Sequence, residues 1–189
     1  KKLVKKVQDS PGLVGIDLVK EVTCKAPYDF DGTLLPGYEW PEKIAPKPKQ
    51  YFVVCIDGGI KRTILRKLNQ HGFCVKVVPA TTTAEEILAL KPHGVFISNG
   101  PGDPAALTYL IENTRKLIGK IPIFGICLGH QILGHALGGK TYKLKFGHRG
   151  GNHPVMDLFT KKIEVTSQNH GFAVDMDSLP KGEVEWTHL

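Results

Sequence analysis

No apolar run in this chain approaches the roughly 18 residues that a membrane-spanning helix needs, and the lysine-rich start, Lys1-Lys2-Leu3-Val4-Lys5-Lys6, leads into no long apolar stretch. Nothing in it reads as an address to a membrane or a secretory route. The four cysteines, Cys24, Cys55, Cys74 and Cys127, make no C-x-x-C pair and no metal-ligand spacing, so no metal is expected and a reducing, cytoplasmic setting is the simplest reading. Internal repeats and low-complexity tracts are also missing. The formal charge of +7 raises the question of nucleic acid. Yet the lysines are scattered, and the densest groups, at 1–6 and at Lys140, Lys143, Lys145, His148 and Arg149, lack the interleaved aromatics of a strand-binding platform. A solvated face or a protein interface is expected there instead, with no nucleic acid.

What is present is enough for one substantial core: 189 residues, 41% of them hydrophobic and 23% charged. Residues 1–30 read as a polar lead-in with one short helical segment, where Ser10-Pro11-Gly12 precedes the stretch Leu13 to Val19. Residues 31–50 hold Pro36, Gly37, Pro41, Pro46 and Pro48 and read as a connector. The expected division is 1–49, an N-terminal segment and connector from a preceding domain, and 50–189, the main domain. Within the connector, Asp29-Phe30-Asp31-Gly32-Thr33-Leu34 matches the D-x-D-G-T signature of haloacid-dehalogenase-type phosphatases. That chemistry needs a buried strand before the first aspartate and further carboxylates for magnesium. Thr23 to Tyr28 makes a poor buried strand and no later paired-aspartate motif occurs, so a turn rich in Asp and Gly is the better account.

From residue 50 the pattern is regular. Residues 51–56 form a continuous apolar run, as in a strand covered on both faces. A helix follows with Ile60, Ile64, Leu65 and Leu68 on one face, closing at His71-Gly72. Residues 73–78 give a second strand, Thr83 with Glu86 a capping box for a short helix, and residues 94–98 a third strand. After Asn99-Gly100-Pro101-Gly102-Asp103-Pro104 a helix is expected, with Asp103 as its N-cap and Pro104 at the first helical position. Residues 121–126 give a fourth strand and 128–137 its helix. Four strand–helix units in succession specify an α/β fold with an open, mainly parallel sheet and helices on both faces. Ligands bind outside the carboxyl ends of such strands. Beyond Gly138-Gly139, short strands are expected at 141–144, 147–153 and 161–166, with one more at 184–187.

The fourth strand ends in Gly125-Ile126-Cys127-Leu128-Gly129. Glycines on both sides of a cysteine, between a strand and a helix, make a nucleophile elbow, in which the side chain is presented on a sharp turn. The helix dipole beneath it favours thiolate. The alternative for Cys127 is a buried structural cysteine. Gly100 and Gly102 offer unhindered backbone N–H groups beside it, and Leu128 offers another, so the two loops together read as an oxyanion hole for acyl transfer. A plain tight turn is the alternative for Gly100-Pro101-Gly102.

Three blocks in this order, Ser98-Asn99-Gly100-Pro101-Gly102-Asp103-Pro104, Gly125 to Gln131, and Ser167-Gln168-Asn169-His170-Gly171-Phe172-Ala173-Val174-Asp175, closely resemble class I glutamine amidotransferases. Within that family the resemblance is closest to the glutaminase domain of the carbamoyl phosphate synthetase small subunit, with Phe146 to Val155 and Gly12 to Leu18 similar to segments of it. The resemblance implies a flavodoxin-like fold. It implies that Cys127 attacks the side-chain amide of L-glutamine, that Gly102 and Leu128 hold the oxyanion, and that Gly100, Gln131, Asn169, Gly171 and Phe172 line the glutamine pocket. It also implies no cofactor in this chain. ATP, Mg and bicarbonate are expected on the large subunit, which uses the ammonia to make carbamoyl phosphate for arginine and pyrimidine biosynthesis. The absence of a G-x-x-x-x-G-K-[ST] loop fits ATP binding elsewhere.

One departure stands out. The family's base is a histidine followed two residues later by a glutamate, in an H-P-E block downstream of Asn-His-Gly. Here His153-Pro154-Val155 lacks the glutamate, and the sequence ends at Trp186-Thr187-His188-Leu189. His170, the nearest in-motif alternative, reads as a pocket residue. The expectation is a piece truncated at both ends, including the C-terminus of the glutaminase domain, with acylation severely slowed. A non-catalytic glutamine-binding or regulatory module, or the glutaminase of another synthase, are the alternative readings.

Overall fold

The computed structural model describes residues 2–32 and 48–189. Pro36, Gly37, Pro41 and Pro46 of the expected connector, and Thr33 and Leu34 of the aspartate motif, lie outside the described residues. Two short helices, α1 (Lys2–Gln8) and α2 (Val19–Val22), precede a three-residue strand, β1 (Tyr28–Phe30). Then β2 (Tyr51–Asp57), α3 (Arg62–Gln70), β3 (Phe73–Pro79), α4 (Ala84–Ala89) and β4 (Gly94–Ile97) alternate. They are followed by α5 (Thr108–Leu117), β5 (Ile123–Gly125) and α6 (Leu128–Ala136).

The sheet runs in the order β1-β3-β2-β4-β5, with β3, β2, β4 and β5 parallel and β1 antiparallel at the edge. Alternation along the central strands builds two cores, because successive side chains point to opposite faces. Val54, Ile56, Val95 and Ile97 pack against Ile87, Leu110, Leu117 and Ile132 of α4, α5 and α6. Val53, Cys55 and Phe96 pack on the other face with Leu65, and with Ile64 and Leu68 of α3. The expected open, mainly parallel sheet with helices on both faces is what the chain forms. Local signals also act where they stand: Thr83 and Glu86 complete the capping box, and Asp103 caps a single 3-10 turn at Pro104–Ala106.

Three expectations need correction. Residues 13–18 are not helical. Gly15 sits at φ +76°, and the Asp17 carboxylate accepts the N–H groups of Val19 and Lys20, so the helix starts only at α2. The short strands expected after Gly139 merge into two long ones, β6 (Lys140–Met156) and β7 (Ile163–Asp175), paired as an antiparallel ribbon. Register shifts between Lys143 and His148 and between Gly150 and His153 break the alternation, with Gly147 (φ +76°) and Gly150 (φ +131°) at the irregularities. Residues 184–187 form no strand. The chain instead returns beside the end of β6, where Asp157 bridges His188 and the Leu158 N–H donates to the Thr187 carbonyl at 2.8 Å.

The segment before β2 is tied to the sheet. Val19 is fully buried in the first core, and Phe30 lies in the second. Asp57, at the end of β2, accepts the N–H groups of Gly59 and Ile60 on Oδ1 and that of Cys24 on Oδ2. The Asp29 side chain is on the surface, paired with Lys76 at 2.9 Å. Among the described residues, no helix is long and apolar enough to cross a membrane. Nor does any group of three or more His, Cys, Asp and Glu side chains among them have the geometry of a metal site.

Candidate active site

Cys127 stands between β5 and α6 at φ +53°, ψ −105°. A non-glycine residue with that φ is strained by contact between its Cβ and the backbone, and such strain persists only where the surroundings over-determine it. Here the flanking glycines do so. A Cβ on Gly125 would meet the carbonyl group of Gly129, and one on Gly129 would meet the carbonyl oxygen of Ile97. The Gly129 N–H donates to the carbonyls of Ser98 and Ile126. The elbow is therefore wedged against the end of β4, and no side chain fits at either glycine.

The loop after β4 faces it. The Ser98 hydroxyl is fully buried; it accepts the Gly58 N–H at 2.8 Å and donates to the Asn99 carbonyl at 2.7 Å. Asn99 Nδ2 donates to the Gly59 carbonyl, and the Lys61 N–H donates to Asn99 Oδ1. The loops after β2 and β4 are thus stitched together at the carboxyl edge of the sheet. A Cβ on Gly100 would strike the Gly58 carbonyl oxygen and the Leu128 side chain. Gly102 sits at φ +89°, the left-handed region that glycine enters freely.

A cleft of about 670 Å³ opens above these loops. Gly100, Gly102, Cys127, Gln131, Asn169, Gly171 and Phe172, all expected in the site, line it together. Leu128 does not reach the cleft with its side chain, which is buried beneath Gly100; only its backbone N–H faces Cys127. The buried Gln131 side chain donates from Nε2 to the Phe172 carbonyl at 2.7 Å and so fastens the ribbon to α6. Asn169 presents its carbonyl 3.9 Å from Cys127 Sγ.

Burial pushes the Cys127 thiol above its ordinary pKa, and the Leu128 N–H and the Lys61 charge only partly offset this. The expectation of a thiolate favoured by the helix terminus is therefore not met on balance: desolvation of the anion outweighs the donors around it. An acceptor for the thiol proton is needed for attack at neutral pH. Among the described residues no imidazole is hydrogen-bonded to Sγ. His170 has Nδ1 against the Phe172 carbonyl at 2.8 Å and Nε2 against Gln168 Oε1 at 2.9 Å, which occupies both nitrogens.

Sequence reasoning missed Lys61, Arg149, Leu13 and Leu18 as lining residues. Lys61 could have been found, because the loop after β2 opens at the same sheet edge as the other two. Arg149 follows from ribbon register alone: it lies opposite Asn169 and donates from Nη1 to Asn169 Oδ1 at 2.9 Å. Leu13 and Leu18 carry no such signal, since they reach the cleft through the non-helical course of residues 13–18.

Residues 54–189 match the family model described as Glutamine amidotransferase class-I. The chain is similar to "Carbamoyl phosphate synthase small chain" of Syntrophotalea carbinolica, 55% identical over 190 residues, covering 99% of this chain and 49% of that one. It is also similar to "Carbamoyl phosphate synthase small chain, chloroplastic" of Oryza sativa subsp. japonica, 51% identical over 177 residues, covering 94% of this chain and 39% of that one. The chain thus spans about half or less of the length of these relatives. Among solved structures, a glutamine amidotransferase from Thermotoga maritima shares the fold at a TM-score of 0.53, with 20% identity and 69% of this chain and 64% of that one covered. A glutamine amido transferase from Methylobacillus flagellatus does so at 0.52, with 14% identity and 72% and 59% covered.

Proposed function

The chain belongs to the class I glutamine amidotransferases, and from that membership we propose that Cys127 is the nucleophile of a glutaminase site in a carbamoyl phosphate synthase small chain. The observation that carries this reading is the strained elbow, which aims the thiol into a cleft that also holds Gly102, Gln131, Asn169 and Phe172. Cys127 Sγ, once deprotonated, attacks the side-chain amide carbon of L-glutamine, and the carbonyl oxygen becomes an oxyanion facing the N–H groups of Gly102 and Leu128. Collapse of that intermediate breaks the C–N bond and releases ammonia with the proton taken from the thiol. Water then attacks the thioester and frees glutamate and the thiol. Pre-aligned backbone donors are the largest contribution the loops can make, because they need no reorganisation as the charge develops.

Gly100, Gln131, Asn169, Gly171 and Phe172 are proposed to hold the rest of the substrate, with Arg149 fixing the Asn169 amide. The test is to incubate the full-length gene product with labelled glutamine. Glutamate and ammonia are expected in equal amounts, and acid quenching should leave label on the peptide that contains Cys127. Release of ammonia with no thioester and no dependence on Cys127 would remove the assignment.

The ammonia is proposed to pass to a large synthetase subunit that binds ATP, Mg and bicarbonate and makes carbamoyl phosphate for arginine and pyrimidine biosynthesis. The relatives' description as small chains supports a larger companion. The ribbon is proposed as part of the contact with it. Residues 140–153 hold Lys140, Lys143, Lys145 and Arg149 with no Asp or Glu, and Phe146 is 80% exposed with the Lys145 ammonium over its ring. Like charges placed against a complementary patch cost affinity strongly, so reversing Lys143 and Lys145 to glutamate should weaken association by at least about 10-fold. Association measured by titration calorimetry and left unchanged would place the interface elsewhere.

A further inference from the structure

The oxyanion loop is held from outside the strand–helix units, by a part of the chain nearly ninety positions earlier. Asp103 directly follows Gly102 and is only 6% exposed. Its Oδ1 accepts the Ala105 N–H at 2.9 Å, which caps the short turn and would be enough to explain an aspartate there. Two further bonds are not explained by capping. Oδ2 accepts the N–H of Gly15 at 2.8 Å across a separation of 88 residues, and the Asp103 N–H donates to the Ile16 carbonyl at 3.0 Å.

These bonds place residues 15–18 directly on Gly102. A Cβ on Gly102 would lie 2.7 Å from the Ile16 carbonyl oxygen and 3.0 Å from the Leu18 nitrogen, so backbone rests on backbone at that point. The same segment puts Leu13 and Leu18 on the wall of the cleft. A glycine at φ +89° with glycine two positions before it has many conformations open to it. Fixing the Asp103 N–H on the Ile16 carbonyl fixes the peptide between residues 102 and 103, and the contact with Ile16 and Leu18 limits the rest.

We propose that Asp103 is a positioning residue for the oxyanion donor at Gly102, acting through its clasp on Gly15 and Ile16, and that residues 13–18 are a structural wall of the active site. The proposal rests on the glutaminase reading. It assigns Asp103 no contact with substrate: the carboxylate holds the loop, and the loop holds the donor.

A loosened oxyanion donor acts on the transition state rather than on substrate binding. In the full-length gene product, Asp103→Ala should lower kcat for glutamine hydrolysis by about 10- to 100-fold, the cost of a donor displaced by about 1 Å. KM for glutamine should stay close to that of the unchanged protein. Alkylation of Cys127 by iodoacetamide forms no oxyanion, so its rate should also be unchanged. Asp103→Asn keeps the shape and can serve Ala105 from its oxygen but turns an amide N–H toward the Gly15 N–H; it should fall between the two and decides the matter if the alanine variant does not fold. An unchanged kcat in both variants overturns the inference, and so does a parallel fall of kcat and alkylation with a rise in KM, which would mark a collapse of the whole site. If the unchanged protein does not hydrolyse glutamine, the glutaminase reading fails first and this inference with it.

Discussion

Cys127→Ser in the full-length gene product is expected to abolish glutamine hydrolysis, by at least about 10⁴-fold in kcat, on the scale seen when a nucleophile is removed from a covalent mechanism. Serine fits the site, since one sulfur is replaced by a smaller oxygen in a position that already holds a side chain at φ +53°. The loss is chemical. A hydroxyl is far harder to deprotonate than a thiol, and burial that raises the thiol in this cleft raises an alkoxide more. The oxyanion donors and the pocket remain, so glutamine should still bind with near-normal affinity by calorimetry while turnover disappears. Normal turnover in this variant would sink the nucleophile assignment and require another group to attack the amide.

Gly129→Ala should have the largest effect on the fold. The added methyl would land on the Ile97 carbonyl oxygen, which is backbone and cannot rotate away. Helix α6 would have to leave the end of β4, breaking the Gly129 N–H bond to Ser98 and moving Cys127 with it. Overpacking a close backbone contact of this kind costs about 3 kcal/mol, at the upper end of the usual range. The free energy of unfolding from urea titration should fall by that amount, seen as a lower midpoint with the slope unchanged, and hydrolysis should fall with it. Gly151→Ala is the matched control, because a Cβ there meets nothing within 4 Å and the φ is ordinary. A Gly129→Ala protein as stable as the control would mean that the wedge between α6 and β4 is looser than its backbone contacts indicate.

The strand–helix units were legible because each carries its own period: β2 is apolar at every position from 53 to 56, and α3 repeats Ile64, Leu65 and Leu68 on one face. The elbow and the glycine loop were legible because a close backbone approach excludes every residue but glycine, and the sequence shows it at 100, 125 and 129. The ribbon was not. Gly147 and Gly150 interrupt its alternation, and a bulge reads in sequence as the end of one strand and the start of the next. The Leu13 to Val19 stretch misled through composition. Its apolar residues are held by Gly15 and Asp17 in a turn that reaches the cleft, and bonds to a residue 88 positions away leave no local trace. The state of the Cys127 thiol was likewise a matter of burial, which residue type does not report.

The backbone at Cys127 also has a meaning for engineering. Glycine adopts φ +53°, ψ −105° without cost, whereas a side chain there is strained by about 1 kcal/mol or more. Cys127→Gly should therefore raise the urea midpoint of a protein that can no longer react, and a midpoint that falls would show the strain to be relieved elsewhere. Selection or design for stability alone would discard the cysteine, so any thermostabilised version of this chain has to be screened for turnover at every round.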